Sequence, residues 1–198
     1  MKETIETSPI VNKPNHPICP VESAGALDTW YRRRLQNPGK ILKPYLKPGM
    51  RALDLGCGPG YFSFPMAELV GPEGKVVAAD IQQGMLDLVQ AGTPSASQAP
   101  IETHLCSETG LNLKGEFNFI LAFYMLHETP DLDATLKEIM ALTAPGGTVL
   151  VAEPAFLGLT FRHFKSTRAR FERSGFDVRP LRGLWFAKAF LAHRTEER

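Results

Sequence analysis

The stretch from Leu53 to Ser63, Leu-Asp-Leu-Gly-Cys-Gly-Pro-Gly-Tyr-Phe-Ser, limits what this chain can fold into more than any other. Arg51 to Leu55 is a short apolar run broken by Asp54, the pattern of a buried strand. Gly56, Gly58 and Gly60 then remove every second side chain, so the backbone can take positive φ and a ligand can approach closely. Tyr61, Phe62, Phe64, Met66, Ala67 and Leu69 suit a helix whose N-terminal amides point back at that ligand. Strand, bare turn and helix together form a cradle for a nucleoside-type cofactor.

The spacing discriminates among cofactors. A dinucleotide fingerprint requires a third glycine where Tyr61 stands, and the Gly-Lys-Ser/Thr ending of a P-loop is absent. No Lys or Arg lies between Asp54 and Lys75 to neutralise a pyrophosphate, whereas Asp54 attracts a cation. A ligand bearing an ammonium or sulfonium fits. The segment Asp54-Leu55-Gly56-Cys57-Gly58-Pro59-Gly60 resembles the first motif of the class I S-adenosylmethionine (SAM)-dependent methyltransferases, an acidic residue followed by Gly-x-Gly-x-Gly.

The chain has 198 residues, enough for one sizeable core, with ordinary hydrophobic (43%) and charged (22%) fractions. A formal net charge of +1 gives no global case for nucleic acid or a membrane surface. Cys19, Cys57 and Cys106 are scattered without metal-ligand spacing, and their odd number argues against a closed disulfide framework. No signal-like run and no membrane-length apolar stretch are seen, so a cytoplasmic setting is expected.

Residues 1–40 read as a proline-rich arm followed by a helical cap over the active site, and residues 41–198 as the methyltransferase domain. His16 and Cys19 in the arm read as loop residues, and no metal site is expected. Leu27, Trp30, Tyr31 and Leu35 recur at helical spacing, with Arg32-Arg33-Arg34 as a solvated basic face. Asn37-Pro38-Gly39 reads as the stop of that helix, with Ile41, Leu42, Tyr45 and Leu46 in a second short helical piece.

Further strands are expected at Lys75–Asp80, Ile101–Cys106, Phe117–Met125, Thr148–Ala152, Phe176–Leu181 and Trp185–Arg194. Helices are expected at Gly84–Gln90, Leu132–Leu142 and Ser166–Ser174, with Phe156–Phe164 irregular and Ala144-Pro145-Gly146-Gly147 a turn. The resemblance implies an α/β, Rossmann-like sheet in the order 3-2-1-4-5-7-6, with the last strand antiparallel and helices on both faces. The motif set is most similar to compact small-molecule methyltransferases of the ubiquinone/menaquinone-biosynthesis-like group.

The resemblance also implies roles. Asp54 and the Ala122 backbone would receive the methionine ammonium of SAM, and Gly56, Gly58 and Gly60 would pass beneath it, with Cys57 as a small packed residue. Asp80, at a strand end, would hold the ribose; Ile81 and Met85 would flank the adenine, and Ser107 or Glu108 would meet its amino group. Open α/β sheets bind ligands beyond the carboxyl ends of their strands, so the residues after the fourth strand should line the reacting centre. His127 is the candidate general base, with Tyr124 and Glu128 beside it. The expected activity is methyl transfer from SAM, leaving S-adenosylhomocysteine, to a small-molecule acceptor. An RNA acceptor, or a SAM-binding module without turnover, are the alternatives.

Overall fold

The protein is described here by a computed structural model covering residues 36–92, 95, 97–155, 160–185 and 187–195. The expected arm and cap helix, with His16, Cys19, Trp30, Tyr31 and Arg32 to Arg34, lie outside the described residues. The elements are α1 (Pro38–Leu42), β1 (Arg51–Leu55), α2 (Ser63–Val70), β2 (Lys75–Asp80), α3 (Gln83–Ala91), β3 (Ile101–Leu105), β4 (Phe117–Phe123), a 3-10 turn (Leu126–Glu128), α4 (Leu132–Leu142), β5 (Thr143–Pro154), α5 (Thr160–Arg173), β6 (Phe176–Leu181) and β7 (Ala187–Arg194).

The strands form one sheet in the order β3-β2-β1-β4-β5-β7-β6. β7 runs antiparallel to both β5 and β6, and the pairings among β1 to β5 are parallel. The expected topology is therefore the one observed. β1 is central, flanked by β2 and β4, which is why its sequence is nearly all apolar.

Side-chain alternation divides the core between the faces. Leu53 and Leu55 of β1, Ile120 and Ala122 of β4, and Val149 and Val151 of β5 share one cluster with Leu136 and Ile139 of α4 and Phe171 of α5. Ala52, Phe119, Leu121, Phe123, Leu150 and Ala152 form the other, with Phe62, Met66, Ala67 and Val70 at α2. Phe117 falls on the same side as Ile120 because the β4–β5 register shifts between Phe117 and Phe119.

Most expected elements shift by a residue or two at an end, and four departures have a local physical reason. Asn37-Pro38-Gly39 opens a helix instead of ending one: the Asn37 side chain accepts from Lys40 N at 2.9 Å, and proline in the first turn has no N–H to waste. Ala144-Pro145-Gly146-Gly147 is drawn into β5 as a bulge, since Thr143 pairs with Phe117 and Thr148 already with Phe119. α5 begins at Thr160, inside the stretch expected to be irregular. β4 stops at Phe123 because Tyr124 takes φ 62°, which turns the chain out of the sheet.

Candidate active site

The glycine turn is tied to the neighbouring strand. Gly56 N and Cys57 N both donate to Ala79 O, at 2.8 and 3.0 Å, and Gly60 N donates to Cys57 O at 3.1 Å. Gly56, Gly58 and Gly60 all have positive φ (72°, 53° and 90°). A Cβ on Gly56 would stand 2.6 Å from Met125 Cβ, and one on Gly60 would stand 2.8 Å from the Phe64 ring. Glycine is thus required here by protein packing as well as by backbone conformation. Cys57 packs with Ala78, Leu86 and Val89, and burial, reinforced by Asp54 and Asp80, pushes its thiol well up, which suits a packing residue and not a nucleophile.

Asp54 shares the face of Ala52, under the start of α2. It is only 2% exposed, and its Oδ2 accepts a 2.6 Å hydrogen bond from Ser63 Oγ. Burial pushes its carboxyl up to about 7, against the Ser63 hydrogen bond and with help from the charge of Asp80. A carboxylate this poorly solvated is a strong attractor for a cation. Asp80 lies at the C-terminal end of β2 on the same face, Oδ2 accepting from Gly58 N and Oδ1 from Gln82 N, each at 2.9 Å. Each oxygen keeps further acceptor capacity for a hydroxyl.

Around these carboxylates the other expected residues are distributed unevenly. Ile81 is 40% exposed and offers apolar surface, while Met85 is 2% exposed and buried in the base of α3. Ser107 is exposed and occupied by a local turn, its hydroxyl donating to Gly110 O at 3.0 Å and accepting from Asn112 Nδ2 at 3.0 Å; Glu108 is exposed beside it. Ala122 is fully buried, paired with Leu55 on one side and Val151 on the other, level with the residue that precedes Gly56. Both α2 and α3 begin beside this edge without a side-chain cap.

Beyond β4, Tyr124 donates its backbone N–H to Ala152 O at 2.8 Å, and its phenol accepts from Gln36 Nε2 at 2.7 Å. Gln36 also donates to Trp185 O at 2.8 Å and accepts from Tyr61 Oη at 3.0 Å. One buried glutamine therefore links the residue after the glycine turn, the end of β4 and the β6–β7 connection.

His127 sits in the 3-10 turn with Nδ1 2.5 Å from Glu153 Oε2 and Nε2 3.8 Å from Glu128 Oε1. Burial alone would lower the imidazole; the Glu153 hydrogen bond and charge, with a contribution from Glu128, override it and raise the group above the ordinary histidine value. Burial likewise raises Glu128, with the charges of Asp80 and Glu153 acting in the same direction. Glu153 and His163 were not anticipated. An acid at the end of β5, on the parity of Val149 and Val151, was the available signal, because a charge on an apolar sheet face must find a partner. Among the described residues, no three His, Cys, Asp or Glu side chains converge as a metal site requires.

Residues 46–181 match the family model described as "Methyltransferase domain". The chain is 31% identical over 163 residues to demethylmenaquinone methyltransferase of Lactococcus lactis, covering 82% of this chain and 60% of that protein. It is 30% identical over 151 residues to the Bacillus cereus protein of the same name, covering 73% of this chain and 60% of the relative. The chain thus spans about 60% of the length of these relatives. Among solved structures, a SAM dependent methyltransferase from Aquifex aeolicus superposes with a TM-score of 0.78 at 22% identity, over 89% of this chain and 99% of that one, a likeness of fold. With its sheet order and a family match running from before β1 to the end of β6, the chain belongs to the methyltransferase domain family.

Proposed function

We propose that the chain transfers a methyl group from SAM to a small-molecule acceptor. The observation that carries this reading is the pairing of two carboxylates at one edge of the sheet: Asp54 buried beside Ser63, and Asp80 at the end of β2 bonded to the turn of three positive-φ glycines. Asp54 would hold the methionine ammonium with the Ala122 backbone, and Asp80 the ribose. Ile81 would lie against the adenine, with Met85 supporting from below and Ser107 or Glu108 at the amino group.

When bound, the sulfonium supplies an electrophilic methyl carbon. The residues of this chain then have to align the acceptor, exclude water and receive a proton. His127 is the base, with Tyr124 and Glu128 lining the same side. The names of the relatives point to an acceptor of the demethylmenaquinone kind. Gln36, bonded to Tyr124, Tyr61 and Trp185, stands on the acceptor side of the site in this reading. A cytoplasmic setting is supported by two free buried thiols, Cys57 and Cys106, and no described helix is long and apolar enough to cross a membrane. The test is incubation with methyl-labelled SAM and demethylmenaquinone or a short-chain analogue. Label in the acceptor with stoichiometric S-adenosylhomocysteine is expected; cofactor binding without transfer to any small acceptor would contradict the proposal.

A further inference from the structure

His127 and Glu153 form a close, largely buried pair. Glu153 follows Val149 and Val151 on the face of the sheet covered by α4 and α5, where the neighbouring side chains are apolar. Its side chain is 1% exposed, and burying a carboxylate there is costly unless it is paired. The pairing it makes is one 2.5 Å contact, Oε2 to His127 Nδ1. Its other oxygen, Oε1, is buried and has no hydrogen-bond partner among the described residues, and neither has the buried Nε2 of His163 on α5. His163 is an electrostatic neighbour of both Glu153 and His127.

We infer that Glu153 is a positioning residue that fixes His127, through Nδ1, as the base of methyl transfer, with His163 as the second ring of the same buried cluster. The inference rests on the methyltransferase reading above. By accepting from Nδ1–H, Glu153 selects the tautomer whose lone pair lies on Nε2 and holds the ring against rotation. Nε2 lies on the Glu128 side, and Glu128 in turn is an electrostatic neighbour of Asp80, the cofactor edge. As the acceptor attacks, its O–H or acidic C–H proton passes to His127 Nε2 and its electron pair bonds to the methyl carbon. The sulfur–methyl bond breaks with its pair kept by sulfur, giving S-adenosylhomocysteine. The imidazolium rests against the Glu153 carboxylate until its proton leaves to solvent.

The charged and titratable groups around His127 come from each packed element: Glu128 on its own turn, Glu153 from β5, His163 from α5 with Arg170 behind it, and Asp80 of β2 beyond Glu128. Burial keeps His163 below the ordinary histidine range, whereas Glu153 lifts His127 above it. The two rings are separated in function: one takes up the proton and the other stays neutral.

The test is the full chain with Glu153→Gln and Glu153→Asp, each checked by thermal melting to be folded. Histidine ring resonances are titrated by NMR, with no acceptor present. The His127 midpoint should fall by roughly one pH unit or more in Glu153→Gln and be partly restored in Glu153→Asp. With 1,4-naphthalenediol as the acceptor probe and S-adenosylhomocysteine release as the readout, kcat should fall roughly 100-fold in Glu153→Gln. The acidic limb of the pH profile should move to lower pH, while SAM affinity by calorimetry stays within about twofold. An unmoved His127 midpoint, an unmoved acidic limb, or no release from the probe by wild type overturns the role given to Glu153. Failure of wild type to bind SAM is a different outcome, which removes the methyltransferase reading itself, while the NMR arm still decides whether Glu153 controls His127.

Discussion

Ser63 Oγ donates to Asp54 Oδ2 across 2.6 Å, so the first residue of α2 holds a carboxyl that burial has pushed up to about 7. Burial therefore favours the protonated form of Asp54 in the apo protein. An ammonium placed there favours the ionised form, so SAM binding should release protons near neutral pH. Calorimetry in two buffers of different ionisation enthalpy measures this directly. Equal heats in both buffers would contradict the placement of the ammonium at Asp54.

The same carboxyl affects stability with a definite sign. Its folded value lies above its ordinary value of 3.8, so the folded state binds more protons between about pH 4 and pH 7. Stability should decline as pH rises through that window. Asp54→Asn should flatten the decline and leave the apo protein at least as stable at pH 8, while weakening SAM by roughly 10- to 100-fold. Melting curves across pH, paired with SAM titrations, test both halves.

Gly56→Ala combines a φ of 72° with a Cβ 2.6 Å from Met125 Cβ. A loss of about 1–3 kcal/mol in unfolding free energy is expected, together with loss of SAM binding, because the turn must shift away from Met125. Relief of the stability defect by Met125→Ala, without recovery of binding, would separate the packing role from the backbone role.

His127→Ala is a poor probe of catalysis, because it leaves Glu153 buried with neither oxygen partnered. About 3–5 kcal/mol of destabilisation is expected from breaking one side of a buried pair. The double variant His127→Gln/Glu153→Gln should recover most of that stability while remaining inactive. The contribution of the raised histidine is fully present below about pH 6.5 and is lost as pH rises through its higher folded value. Denaturant melts of both variants and wild type from pH 5 to 9 supply the comparison.

Gln36→Ala should cost about 1–3 kcal/mol, since it strips donors from the Tyr124 phenol and the Trp185 carbonyl. Its larger effect is expected on acceptor KM, with SAM affinity little changed. A SAM defect larger than the acceptor defect would place the Gln36 junction on the cofactor side.

The sheet was legible because its strands are apolar runs bounded by Gly, Pro and charged residues; β1, β2 and β6 begin and end where the pattern placed them. The edge proposed to hold the cofactor was legible for the same local reason, as Asp54, the glycines and Asp80 all lie at or next to strand ends. Boundaries failed where a residue can act two ways: Asn-Pro-Gly can stop one helix or cap the next, and Pro-Gly-Gly can turn the chain or bulge a strand. The parity of Glu153 with Val149 and Val151 signals that this acid needs a partner, but not which one. Its partner lies 26 positions away in sequence, on a turn created by the unusual φ of Tyr124, and only parallel pairing of β4 with β5 brings the two ends together.

The most direct measurement is calorimetric titration of the protein with SAM and with S-adenosylhomocysteine, repeated with Asp80→Asn. The account predicts binding of both compounds at one site per chain, weakened roughly 10- to 100-fold by the substitution because a charged acceptor for the ribose hydroxyls is lost. A folded wild-type protein that binds neither compound, or an Asp80→Asn variant that binds both with unchanged affinity, would contradict it.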